Sequence, residues 1–417
     1  MFTFLYIRSY ARLKQFESWR TNVSMIYLTH KVVVIMYKAY VFRMYPNEKQ
    51  RELINKSFGI SRFIYNYFLE EKQNEYKKSG KSRLSYEQCK EVPKLLKEYS
   101  FLKEVDSCLI RNSIFNLDDA YKRFFNKLGE YPKFKKKGIK DSYKTNNIKS
   151  TYKGKIYNSI KLDLKNKIIF LPKLKEIKIR GYRNKEDIIG NIKSAVIKRE
   201  SGKYYVSVLI EEELIKPLFN PKSIIGLDLG IKDIIITSHN EKIKNSFENK
   251  NLIKRLKGLQ RGLSRSKPGS KNRYKIKLKI QRVYQKLKNI RKHFIHDITN
   301  KIVKENDIIV TEDLDIKNMK ENHYIAKRLT NIPLSEIIRV LKYKCERLGK
   351  KFLKVNRYYP SSQICSVCGY QNKKVKDLSI RKWECKECHY IHDRDLNASI
   401  NIMFEGLKQY MRLMNKA

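Results

Sequence analysis

The chain has 417 residues and carries 92 Lys and Arg against 42 Asp and Glu, a formal charge of +50, with 41% hydrophobic and 12% aromatic residues. That apolar content excludes wholesale disorder, a length of two or three domains at about 150 residues each allows real cores, and a small disulfide-stapled scaffold is excluded. So large a positive excess repels itself in a compact fold unless a polyanion neutralises it, which makes nucleic acid the expected partner and a membrane surface the weaker alternative.

No apolar run approaches the ~20 residues a membrane span needs; the longest near the N-terminus is Val32 to Met36. The first ten residues contain Arg8, lack a leading charged region and reach no small-residue cleavage site, so no secretory signal is expected and the location is read as cytoplasmic. Four of the seven cysteines sit in two tight pairs, while Cys89, Cys108 and Cys345 read as reduced core thiols.

Residues 1–35 are poorly patterned and read as an N-terminal extension, with Met36 a candidate true start. Residues 36–46 contain the alternating stretch Lys38 to Arg43, which predicts a strand. Asn47 with Gln50 forms a capping-box pattern, and Leu53, Ile54, Phe58, Ile64, Tyr67 and Phe68 follow at helical spacing, so 47–130 is read as a helical lobe broken at Ser79-Gly80 and at Pro93. From Tyr131 to Pro221 the pattern turns strand-like: Ile160, Leu162 and Leu164 alternate, Lys167 to Leu171 and Glu176 to Arg180 are further runs, and Ala195 to Lys198 with Tyr204 to Ile210 flank Ser201-Gly202 as a hairpin. The loop Lys133 to Gly138 reads equally as a solvated basic turn or as a phosphate-tracking loop.

The segment 222–360 opens with Ile224 to Gly230, a buried strand ending in Asp228, and Ile234 to Thr237 is its expected pairing partner. Within it, residues 250–306 hold nineteen Lys or Arg against Asp297 and Glu305 alone. Leucines at 252, 256, 259 and 263, a turn at Ser266 to Ser270 and a second apolar series from Ile276 to Ile298 predict an antiparallel helical hairpin with a basic exterior. One sign this lopsided favours contact with nucleic acid over a merely solvated face.

Two patterns carry chemistry. Cys365-Ser-Val-Cys368 and Cys385-Lys-Glu-Cys388, sixteen residues apart, supply four thiolates from two turns, the tetrahedral shell Zn²⁺ prefers, and a shell so filled is structural because no coordination position is left open. His389 and His392 beside the second pair are read as bystanders. The second pattern is acids at element ends: Asp228, then Glu312 and Asp313 after Ile308 to Thr311, then Asp393 and Asp395 opening the last helix in 393–417. Any one is an ordinary turn residue, but three on separate elements beside a basic hairpin fit paired Mg²⁺ ions that relieve their repulsion and assist attack of water on a phosphodiester.

Together these segments resemble the TnpB family, also called OrfB, of transposon-encoded RNA-guided nucleases. The resemblance rests on Lys38-Ala39-Tyr40-Val41-Phe42-Arg43-Met44-Tyr45-Pro46, Phe63-Ile64-Tyr65-Asn66, Tyr131-Pro132-Lys133-Phe134, Gly226-Leu227-Asp228-Leu229-Gly230, Glu312-Asp313-Leu314, the two cysteine pairs and Asp393-Arg394-Asp395-Leu396-Asn397-Ala398. It implies a multidomain α/β protein: an RNase H-like (RuvC) nuclease core with the helical hairpin and an inserted zinc ribbon at 361–392, a helical recognition lobe, and a small β-barrel wedge domain completed by the strand at Lys38 to Arg43. It further implies Asp228, Glu312 and Asp395 as Mg²⁺-binding catalytic acids, with Asp393 the fallback for the third, and guide RNA and target DNA as partners without a membrane. Two departures stand out: His389 replaces the family's usual Gly where a turn favours positive φ, and Ser399 replaces a commoner Ala. Residues 1–35 match nothing in the family. The first expectation is therefore an Mg²⁺-dependent RNA-guided DNA endonuclease; a non-cutting nucleic-acid-binding regulator of the same fold and a direct strand-transfer transposase are the rivals, the former disfavoured because all three acids are present.

Overall fold

The structure, a computed structural model, describes residues 32–415 except 82, 139–140, 153–154, 182–187, 217–218, 232, 246–248, 322–331 and 378. It is a mixed α/β protein with several sheets, divided into two compact units. One unit comprises Ile35–Glu213 with Gly258–Arg282, and the other gathers Leu214–Lys257 and Val283–Ala417.

The first unit begins within β1 (Val32–Tyr45), a strand that starts four residues before the expected Met36. Its inward residues Tyr40, Phe42 and Met44 are buried while their neighbours alternate outward. Helix α1 (Glu48–Ser79) opens on the anticipated reciprocal cap, Asn47 Oδ1 accepting from Gln50 N at 2.9 Å and Gln50 Oε1 from Asn47 N at 3.0 Å, and stops at Gly80 with φ 66°. The break expected at Pro93 is absent: α2 (Ser85–Glu98) runs through it. Proline removes one intrahelical donor, but the helix is held from outside, with Gln88, Val92 and Leu95 buried on one face. A 3₁₀ turn (Ser100–Glu104) leads to α3 (Ser107–Phe125), capped by Asp106.

Strands β2 (Asp141–Asn146), β3 (Lys149–Tyr152), β4 (Lys155–Asn158), β5 (Lys161–Asp163), β6 (Ile168–Leu171), β7 (Lys175–Arg180), β8 (Asn191–Glu200) and β9 (Lys203–Lys216) complete this unit. Six of them join β1 in one sheet in the order β2-β8-β9-β1-β7-β6-β5, and β3 pairs with β4 separately. The β8–β9 hairpin turns at Ser201 (φ 55°) and Gly202 (φ 75°) as expected. Among the described residues this sheet runs from β2 to β5, and the outer edge of β2 is covered by α3 and its cap: Asn112 Nδ2 donates to Lys144 O at 3.1 Å and Thr145 Oγ1 to Asp106 Oδ2 at 2.5 Å. The core unites Ile54, Phe58, Ile64, Phe68 and Leu69 of α1 with Leu109, Ile114 and Leu117 of α3 and with Ile177, Val206 and Val208 of the sheet. The loop at Lys133 to Gly138 is partly tied down. Asn66 brackets the Lys135 backbone with bonds of 2.8 and 3.0 Å, and Lys135 Nζ lies 3.7 Å from the centre of the Tyr65 ring.

The second unit is built on a five-stranded sheet. Strands β10 (Ile224–Asp228), β11 (Asp233–Thr237) and β12 (Lys242–Lys244) form an antiparallel meander. Helices α4 (Lys250–Arg265) and α5 (Lys271–Glu305) follow as expected, joined through Gly269 (φ 80°), although their tip, Gly258–Arg282, groups with the first unit. Then come β13 (Ile308–Glu312), the short α6 (Ile316–Glu321), α7 (Leu334–Leu348) and β14 (Lys351–Val355), giving the sheet order β12-β11-β10-β13-β14 with β10, β13 and β14 parallel. Strands β15 (Lys382–Glu384) and β16 (Ile391–Asp393) form a small ribbon, and α8 (Arg394–Met414) closes the chain.

Parallel strands are buried on both faces. On one face Ile225, Leu227 and Ile309 pack with Ile295, Ile302 and Val303 of α5 and Ile337, Val340 and Leu341 of α7. On the other, Ile224, Ile308, Val310 and Val355 pack with Ile402, Leu407 and Tyr410 of α8. Helix α8 lies close because two glycines admit it: a Cβ on Gly226 would strike Ser399 and Met403 of α8, and one on Gly406 would strike Val310.

Candidate active site and metal centre

Side chains alternate along a strand, so the face of α8 that meets Gly226 and Val310 also receives Asp228 and Glu312, two residues further along each strand. The parallel register pairs Gly226 with Val310 and Leu227 with Thr311, so Asp228 lies beside Glu312 at the carboxyl ends of adjacent central strands. Asp395 comes from the first turn of α8. Its charge is felt at Asp228: burial first, then Glu312 and Asp395, hold the Asp228 carboxyl well above the ordinary range. Burial likewise pushes Glu312 up, against the hydrogen bond from Ser361 Oγ to Glu312 Oε1 at 2.5 Å and the Arg394 charge. Arg394 is 8% exposed and opposes both shifts, yet both acids stay raised because burial outweighs it, with the neighbouring carboxylates adding to the effect at Asp228. Hard oxygen donors under such repulsion suit Mg²⁺.

The two aspartates of the last motif divide their work. Asp393 caps α8, its Oδ1 accepting from the N–H groups of Asp395 and Leu396 at 3.2 Å each, and its Oδ2 pairs with Lys242 Nζ at 2.6 Å. Burial would raise Asp393, but the Lys242 hydrogen bond and these backbone donors bring it below the ordinary value. The Asp395 carboxylate takes no part in the cap and meets Arg381 instead, whose Nη1 reaches its oxygens at 3.2 and 3.3 Å. Asp313, adjacent to Glu312, is turned to Lys354 (2.8 Å) and Arg357 (3.3 Å) instead.

The four cysteines meet in the ribbon. Their sulfurs lie within 4.8 Å of one another, and among the described residues no other set of three or more Cys, His, Asp or Glu is gathered so tightly, the three acids included. Cys365 Sγ is 3.6 Å from Cys388 Sγ and Cys368 Sγ is 3.5 Å from Cys385 Sγ, close to the ~3.8 Å edge of a tetrahedron with Zn–S of about 2.3 Å. The cluster fits a zinc site. The two turns are near copies: Cys365 N bonds to Tyr370 O and Gly369 N to Cys365 O, while Cys385 N bonds to Tyr390 O and His389 N to Cys385 O. Gly369 has φ 88° and His389 φ 55°, so the histidine occupies the left-handed position that a glycine would hold without strain. His389 points to Glu384. His392 stays outside the sulfur set but touches it, Nε2 lying 3.0 Å from Cys365 Sγ in a buried position that depresses its basicity to about 4.

Sequence reasoning missed three participants, Ser361, Asn401 and Arg381, and quoted Asn397 only as part of the last motif; with Asn397 they bind ribbon and acids together, and the one signal was a second asparagine four residues after Asn397, on the same buried helix face. Among the described residues no helix is long and apolar enough to cross a membrane.

Comparison with known proteins gives three family matches: a family described as "Probable transposase" over residues 205–323, "Cas12f1-like, TNB domain" over 335–402, and "Helix-turn-helix domain" over 36–81. A Streptomyces pristinaespiralis protein named "Putative RNA-guided DNA endonuclease" is 30% identical over 374 residues, covering 89% of each chain. The Escherichia coli (strain K12) protein "Putative RNA-guided DNA endonuclease InsQ" is 31% identical over 389 residues, 88% of this chain and 92% of its own. Among solved structures, a chain from "Cryo-EM structure of the Cas12f1-sgRNA-target DNA complex" shares the fold with a TM-score of 0.57 at 16% identity, over 88% of this chain and 99% of that one.

Proposed function

The chain belongs to the TnpB, or OrfB, family of transposon-encoded RNA-guided DNA endonucleases, and from that premise we propose that it is a metal-dependent nuclease whose Asp228, Glu312 and Asp395 hold Mg²⁺ against the DNA phosphate to be cut. On this reading the five-stranded sheet with α8 is a RuvC-like core of the RNase H type, the four-cysteine ribbon carries structural zinc, and the first unit comprises the recognition lobe and wedge.

The observation that carries the proposal is the placement of Asp228 and Glu312 side by side at the ends of two buried parallel strands, both raised by burial and facing the helix that bears Asp395. Paired Mg²⁺ ions, when bound, supply an activated water and stabilise the leaving oxygen of an in-line displacement. The chain's own contribution is rigid presentation. The strands fix two carboxylates, the cap of Asp393 fixes the start of α8 and so the third, and Arg394 moderates their repulsion. The basic faces of α4 and α5 are suited to phosphate contact with guide and target, and base pairing supplies the sequence choice. Within a transposable element such cutting serves retention of the element, with strand joining left to a separate enzyme.

The test is cleavage of labelled target DNA by protein purified with its co-expressed flanking RNA in Mg²⁺. We expect cut ends without joined donor–target products, abolished by Asp228→Ala; cleavage that survives this substitution refutes the assignment.

A further inference from the structure

The ribbon and α8 meet across an apolar cleft that is not closed. A cavity of about 410 Å³ remains between Val367, Tyr390 and Ile391 of the ribbon and Ile400, Met403 and Phe404 of α8. Apolar packing is therefore incomplete there, and hydrogen bonds make the connection.

Those bonds form a continuous path. Asn397 brackets the first metal cysteine: its Nδ2 donates to Ile364 O at 2.7 Å and its Oδ1 accepts from Ser366 N at 2.9 Å, the residues on either side of Cys365. One turn further, Asn401 Nδ2 donates to the same Ile364 O at 2.6 Å and to Ser361 O at 2.8 Å. The Ser361 hydroxyl then donates to Glu312 Oε1 at 2.5 Å. Asn397, Asn401 and Ser361 are 1%, 2% and 6% exposed. A buried amide left unpaired costs about 1–3 kcal/mol, so two of them on one helix face are tolerated only with these partners in place. Asn397 also lies two residues from Asp395 on the same helix.

We propose that Ser361, Asn397 and Asn401 form a brace that couples the cysteine-bound metal to the carboxylate site, with Ser361 a positioning residue that aims Glu312 at the catalytic metal. The brace rests on the reading of Glu312 and Asp228 as metal ligands. Outer partners of ligating carboxylates act by orienting them, and their removal typically weakens metal binding or activity by about 10–100-fold. A hydroxyl on Oε1 orients the Glu312 carboxylate, and Oε2 would then be the oxygen that coordinates. The asparagines make that hydroxyl's position depend on the loop that begins the cysteine turn.

The experiment uses the full ribonucleoprotein, with zinc content by mass spectrometry, Mn²⁺ binding by electron paramagnetic resonance, and cleavage titrated against Mg²⁺. Ser361→Ala is expected to keep its zinc and unfolding midpoint, bind Mn²⁺ roughly tenfold or more weakly, and need correspondingly more Mg²⁺ for half-maximal cleavage while the saturated rate falls less. Ser361→Thr, which retains the hydroxyl, is expected to restore binding. Asn401→Leu, similar in volume but without the donor, gives a second arm and is expected to weaken Mn²⁺ binding with zinc retained. Unchanged Mn²⁺ binding in Ser361→Ala, or a loss that threonine does not reverse, overturns the brace. Asp228→Ala run in parallel separates the failures: if it alone abolishes Mn²⁺ binding, the metal-site reading stands and the brace falls, and if it too leaves binding intact, both fall.

Discussion

Asp228→Asn should stabilise the metal-free protein while ending its activity. The parallel register sets Asp228 beside Glu312, so their backbones are one strand spacing apart, ~4.8 Å, and at an effective dielectric of ~20 two charges at that distance repel by roughly 3.5 kcal/mol. Side-chain splay and the opposing Arg394 reduce this, leaving an expected gain of about 1–3 kcal/mol for the neutral amide. At roughly 2–4 °C per kcal/mol for a unit of this size, a gain of ~2 kcal/mol lifts the unfolding midpoint by about 4–8 °C in EDTA at pH 7.5. The pH dependence has a definite sign. Asp228 and Glu312 are both raised above their ordinary values, so the folded protein binds more protons than the unfolded chain across that interval. Their contribution to stability is fully present below the ordinary carboxylate range and is lost as pH rises through the raised values. The advantage of the Asp228→Asn variant over the native protein should therefore shrink as pH falls through that interval. Mg²⁺ should reverse the order by stabilising the native protein alone. A variant that melts at or below the native protein in EDTA at pH 7.5 refutes the electrostatic argument.

Three further outcomes are expected. His389→Gly relieves a left-handed strain of roughly 1–2 kcal/mol, partly offset by glycine's greater freedom when unfolded, so the ribbon should gain about 0.5–1 kcal/mol, read from the chelator concentration that releases zinc. Cys385→Ser should abolish zinc retention and expose Trp383, 7% accessible in the folded ribbon, seen as a red shift of its fluorescence in a Trp19→Phe background, because the few apolar residues around it cannot hold the ribbon alone. Lys344, its ammonium bonded to His296 O and Thr299 Oγ1, is lowered to about 8 by burial, so stability rises with pH above about 8 by up to ~1.4 kcal/mol per unit, and the gap to Lys344→Met measured by denaturant should narrow over the same range.

Local chemistry was legible in the sequence where a few neighbouring residues determine it. The Asn47–Gln50 cap, the Ser201-Gly202 turn and the two cysteine turns follow from short-range rules, while the positive φ at His389 was expected from the glycine the resembling family usually has there. The position of Asp228 and Glu312 at strand ends was readable because apolar strands ending in acids are conspicuous. What escaped depends on tertiary partners. Pro93 stays helical because of what its face packs against, the outer edge of β2 is covered by α3, and β14 gave no signal because Val355 alone of its five residues is buried. Ser361 is ordinary in sequence and becomes informative only when the fold sets its hydroxyl on Glu312.

The position of β1 bears on how the chain is made. It emerges before every other described strand, yet it lies between β7 and β9, and β9 begins 158 residues after β1 ends at Tyr45. At about 5–20 residues per second, β9 starts to emerge roughly 8–30 s after β1 is complete. Throughout that interval β1 lacks one of the two strands that flank it in the finished sheet, and Tyr40, Phe42 and Met44 have only the earlier-made helices and then β7 to pack against, which ties the first strand to the pace of translation and to chaperone shelter.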